Sequence, residues 1–64
     1  MANMLTTKEL TLLVDLLTYE ENATKKASLY SRTMTDPTVS QNFSHLADNH
    51  QKRFCTLLNL LQTN

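Results

Sequence analysis

Glycine and tryptophan are absent from this 64-residue sequence, and proline and cysteine occur once each. Without glycine the chain lacks the residue that most readily supplies positive φ in hairpin turns and bulges, which disfavours a fold of many short strands. The single cysteine, Cys55, excludes an internal disulfide and any cysteine-based zinc site. It reads as a small apolar residue on or beside the core face, the alternative being an intermolecular disulfide in an oxidising setting. Net charge is lacking as well: six Lys and Arg balance six Asp and Glu, so no basic field draws in nucleic acid or anionic lipid. Long hydrophobic runs are missing too. LTLLVDLL is short and interrupted by Asp15, and MANMLTTKE has no basic n-region, so the expectation is a soluble protein made in the cytoplasm, with neither export signal nor membrane span.

What the chain does have is leucine, twelve copies within a hydrophobic fraction of 41%, a balance that suits an all-α fold. Residues 1–64 form one domain, with an ordered core expected over about 5–61 and frayed ends. A core of this size is marginal without staples or a partner, so self-association is expected.

Thr6 and Glu9 stand at capping-box spacing ahead of an apolar periodic run, which predicts a helix over about 7–34. Along it Leu13, Leu16, Glu20, Ala23, Ala27, Tyr30 and Met34 step by three and four, a heptad-like seam with one charged member. The break falls at Met34-Thr35-Asp36-Pro37, where Asp36 can cap and Pro37 can open a second helix over about 37–61. Its seam is Val39, Phe43, Leu46, His50, Arg53, Leu57 and Leu60, broadened by Ala47, Phe54, Leu58 and Leu61. Each helix is about 40 Å long, and the short connection makes an antiparallel hairpin. Glu21 with Lys25 and Asp48 with Lys52 mark the outer face.

The open end of that hairpin is greasier than two helices can cover, which predicts a homodimer closing into a four-helix bundle. Leu13, Leu16, Leu17, Tyr30, Phe43, Leu46, Phe54, Leu57, Leu58 and Leu61 are its expected core and dimer residues.

Glu20 and His50 lie at nearly equal distance from the turn, with Arg53 one turn beyond His50, so Glu20 is expected to face both in a buried polar cluster. An apolar interior tolerates a carboxylate only if it is paired or neutralised, which makes a register-fixing ion pair the leading reading. Metal is the alternative. Bundle-core dinuclear sites use a carboxylate from each of two helices and Glu-x-x-His from the other two. Here the corresponding run is His50-Gln51-Lys52-Arg53, and Arg53 opposes a metal, leaving Glu20 and His50, two ligands per hairpin and four per dimer. A hydrogen-bonded small-ligand site is a third option. His45 points to another face and reads as solvated, and no nucleophile arrangement stands out, since Cys55 is rotated away from His50. No catalytic residue, metal or other cofactor is therefore expected.

The order LLVDLLTYEE, Tyr30, Asp36-Pro37-Thr38, then FSHLADNHQKRF and LLNLL resembles the small spore coat F-like proteins of endospore-forming bacteria, within the ferritin-like helical group, over about residues 5–61. Glu20, Tyr30, the Asp36-Pro37 turn and the Phe43, Leu46, Ala47 run carry the likeness. It implies a ferritin-like bundle, metal-ligand positions at Glu20, His50 and Arg53, and a spore coat location with coat proteins as further partners. Two of those three positions depart from the ligand pattern, so Arg53 would supply as a side chain the charge a metal would have supplied. The expected function is a non-enzymatic structural or interaction protein acting as a helical homodimer, with no nucleic-acid or membrane partner. The alternatives are a divergent ferritin-like metal or redox protein using Glu20 and His50, and an adaptor presenting its helix faces.

Overall fold

A computed structural model describes residues 5–62 as two helices, α1 (Thr7–Thr33) and α2 (Pro37–Gln62), packed against each other. The expectation of frayed ends concerns residues that largely lie outside this range. The boundaries fall within one residue of the expected ones because local chemistry sets them. Thr6 is extended, and its hydroxyl accepts from the Glu9 backbone N–H at 3.1 Å while the Glu9 carboxylate accepts from the Thr6 N–H at 2.9 Å, a complete capping box. Hydrogen bonding from the Thr6 backbone N–H, and to a lesser degree from the Thr6 side chain, holds the Glu9 carboxyl below its ordinary value. At the other end Met34 turns extended, its N–H still donating to the Tyr30 carbonyl at 2.9 Å. Asp36 Oδ1 then accepts from the N–H groups of Thr38 and Val39 at 2.9 and 3.0 Å, and Pro37 takes the first helical position, where a missing N–H costs nothing.

Threonine is a mediocre helix former, yet the hydroxyls of Thr11, Thr18, Thr24, Thr33 and Thr56 each donate to the carbonyl four residues back. In this way the helices absorb side chains that would otherwise compete with their backbone.

The seam is rotated from the expected one. Its inward positions on α1 are Leu10, Leu13, Leu17, Glu20, Thr24, Ala27 and Ser31, and on α2 Ser40, Phe43, Ala47, His50, Phe54, Leu57 and Leu61. Leu13, Glu20 and Ala27 keep their places, but Leu16, Tyr30, Met34, Val39, Leu46 and Leu60 are exposed in the hairpin. Near the turn the helices meet through small residues, Ala27, Ser31, Ser40 and Ala47, which let the backbones approach. The Ser40 hydroxyl donates across to the Ser31 carbonyl at 2.5 Å. Tyr30 stands on the flank and packs edge-on to the inward Phe43, with centroids 5.4 Å apart.

The result is a slab of 47 × 19 × 11 Å, one helix thick. Among the described residues only Leu13, Ala27, Ala47 and Glu20 are buried, and no large side chain is completely enclosed. Domains ordinarily stack two layers around a core, and this hairpin is one such layer.

Candidate functional site

Midway along the slab the only buried charged side chain among the described residues, Glu20, projects from α1 into the seam. It occupies an inward heptad position, between Leu17 and Thr24 on its own helix, which turns its side chain toward α2. Across from it, Phe43, His50 and Leu57 follow one another at seven-residue spacing on the inward face of α2. His50 Nδ1 lies 2.5 Å from Glu20 Oε1, both side chains being nearly enclosed, at 12% and 9% exposure. The second carboxylate oxygen, Oε2, lies 3.7 Å from Arg53 Nε. No buried side-chain nitrogen or oxygen among the described residues is left without a partner.

Arg53 departs from its expected burial. Its side chain is 52% exposed, because it stands one position before the inward Phe54 and reaches the carboxylate from the flank. The cluster is thus a buried hydrogen-bonded dyad with a half-solvated counter-charge at its rim. This division makes physical sense: a guanidinium that keeps much of its hydration avoids most of the desolvation cost of a fully buried ion pair. When neutral His50 carries its proton on Nδ1, it donates to the carboxylate, and Arg53 alone balances the negative charge.

Tyr19 is a member that sequence reasoning did not assign to the cluster. Its ring stands edge-on to the His50 imidazole, centroids 6.2 Å apart and planes at 78°, covering the dyad from the same flank as Arg53. The available signal was its position directly before Glu20, on the flank that Arg53 also occupies.

The arrangement holds a carboxylate and an imidazole in fixed relation but brings no nucleophile to them. Cys55 is exposed on the outer side of α2, accepting from Gln51 Nε2 at 3.7 Å. His45 is exposed, as expected of a solvated histidine. Nor do three or more metal-ligating side chains gather anywhere among the described residues, so one hairpin offers Glu20 and His50 alone. The Glu21–Lys25 pair, 3.7 Å apart, is exposed and contributes little. On the flank away from Tyr19, a shallow open groove lined by Glu21, Thr24, Lys25, Gln51 and Phe54 does not reach the dyad.

Compared with protein-family models, curated proteins and solved structures, the chain matches none. Among the described residues no helix is long and apolar enough to cross a membrane.

Proposed function

We propose that this chain is a non-catalytic structural protein of the spore coat F-like kind, which works as a helical homodimer closed into a four-helix bundle and associates further with other coat proteins. The observation that carries the dimer is its surface: ten large apolar side chains are exposed among the described residues, while none is completely enclosed. Isolated exposed apolar residues are ordinary, but a single layer with so many lacks the second layer that helical domains use to cover them. The Glu20 cluster supports a structural role, because both carboxylate oxygens are engaged by side chains of the facing helix, which pins the register of α1 on α2.

The assignment to a spore coat rests on the resemblance at Glu20, Tyr30, Asp36-Pro37 and Phe43-Leu46-Ala47. Thermal melting followed by circular dichroism at ~5 and ~200 µM tests the dimer: folding coupled to association makes the melting temperature rise with concentration. A melting temperature independent of concentration refutes it.

A second reading, a divergent ferritin-like metal or redox protein, draws on the close approach of Glu20 to His50. Two copies would bring four such ligands toward the bundle centre, a number that suits zinc. Elemental analysis of protein purified without chelator or metal affinity decides between them. Stoichiometric zinc, iron or manganese supports the metal reading and overturns the idea that Arg53 supplies the compensating charge.

A further inference from the structure

The two flanks of the hairpin differ. One is defined by Tyr19 against His50, Tyr30 against Phe43 and Arg53 against Glu20. At the same heptad positions as these residues stand Leu12 and Leu16 on α1 and Val39, Leu46 and Leu60 on α2. This flank therefore carries most of the exposed large apolar side chains, running from the open end to the turn. The other flank is lined by Thr11, Thr18, Glu21 and Lys25 on α1 and Ser44 and Gln51 on α2, with Val14 and the half-buried Leu58 as its apolar members.

We infer that the Tyr19–Tyr30 flank is the surface on which a second copy of this chain docks, an inference that rests on the dimer reading and adds the face to it. Area supports a second copy. The chain exposes 4947 Å², whereas a folded monomer of 7.3 kDa exposes about 4,160 Å². The excess, roughly 800 Å², is what one partner contributes to a standard-sized interface. Charge supports the same occupant. Two copies placed face to face about an axis along the bundle, turns at one end, set α2 of each across α1 of the other at equal height. Arg53 then faces the exposed Tyr19 ring of the second copy, with that copy's Glu20 carboxylate buried behind the ring, while the two guanidinium groups stay diagonal to each other. In the same arrangement Leu12 meets Leu60 of the second copy near the open end.

Val14 and Leu16 allow a matched test, since both are 49% exposed, two residues apart on α1 and on opposite flanks. Sedimentation equilibrium and circular dichroism are measured on the full chain, on Leu16→Glu and on Val14→Glu. The expected result is that Leu16→Glu weakens the dimer by about 100-fold or more, the effect of forcing a carboxylate into an apolar contact, while Val14→Glu changes it by less than about threefold. If Leu16→Glu also loses helix, recovery of helix at rising protein concentration supports the inference, and loss that concentration does not reverse overturns it. Equal effects of the two substitutions, or a larger effect of Val14→Glu, overturn the face and leave the dimer standing. A wild-type chain that is monomeric and fully helical at ~200 µM overturns the dimer itself.

Discussion

Replacing Glu20 by Gln keeps the shape of the side chain and removes its charge. Three contributions set the size of the effect. The hydrogen bond from His50 goes from a charged acceptor, worth about 1.5–3 kcal/mol, to a neutral one worth about 0.5–1.5 kcal/mol. Arg53 loses its counter-charge, but at 52% exposure it is largely solvated, so this adds no more than the ~0–1 kcal/mol of a surface pair. Against these, the amide is cheaper to desolvate than a carboxylate. The balance is a loss of about 1–2 kcal/mol, well short of the ~3–5 kcal/mol of a fully buried pair broken on one side. For a chain of 64 residues that lowers the melting temperature by roughly 8–15 °C.

The companion variant is Glu20→Leu with His50→Leu. Replacing both partners of the dyad by apolar side chains leaves no orphaned polar group in the seam, and Arg53 turns to solvent. This double variant should match or exceed the wild type in stability while Glu20→Leu alone falls below Glu20→Gln. Urea and thermal denaturation at one fixed protein concentration read both. A shift of less than about 2 °C for Glu20→Gln, or a double variant no better than Glu20→Leu alone, would refute the view of the cluster as a paired dyad in a low-dielectric seam.

Two further outcomes follow from the fold. Glu9 has its carboxyl held below the ordinary 4.5 by the Thr6 hydrogen bonds, so its stabilisation is present above the unfolded value and is lost as pH falls through the lowered folded one. Wild type should therefore melt higher than Glu9→Gln at neutral pH, with the gap closing under strong acid; a gap that is constant across that range would contradict the capping box. Ala27→Leu should cost about 1–3 kcal/mol in urea denaturation, because Ala27 is almost wholly enclosed in the seam, and a neutral result would place the seam elsewhere.

Much of this architecture was legible because it follows from short-range rules. Thr6 with Glu9 and Asp36 with Pro37 each bring their own hydrogen-bond logic, so the helix ends could be placed without knowing the packing. The meeting of Glu20 with His50 was legible by counting residues back from the turn, since an antiparallel hairpin equates sequence distance with height.

The rotation of the seam was harder to see. Periodicity favours the most apolar members of each turn, Leu16, Tyr30, Leu46 and Leu60. The packed faces near the turn instead use Ala27, Ser31, Ser40 and Ala47, whose value is their small size and, for Ser40, a hydroxyl that donates to the Ser31 backbone carbonyl. A helix with two apolar stripes gives a broad hydrophobic arc, and the period alone cannot say which edge of the arc meets its own chain. The same ambiguity moved Arg53 from the interior to the rim and left Tyr19 outside the expected cluster.

The crossing between Ser40 and Ser31 spans nine residues, and the one between His50 and Glu20 spans thirty. Loop-closure entropy grows with the length of chain enclosed, so the serine contact is the cheaper to close from an open chain. Once it has formed, each further turn of helix adds contacts over only a short additional loop, and the hairpin zips from its hinge toward its free ends. The Glu20 dyad then engages late, after much of the entropy of alignment has already been lost. Its removal should consequently hasten unfolding while leaving the refolding rate nearly untouched, which makes the cluster a latch on the native hairpin more than a guide toward it.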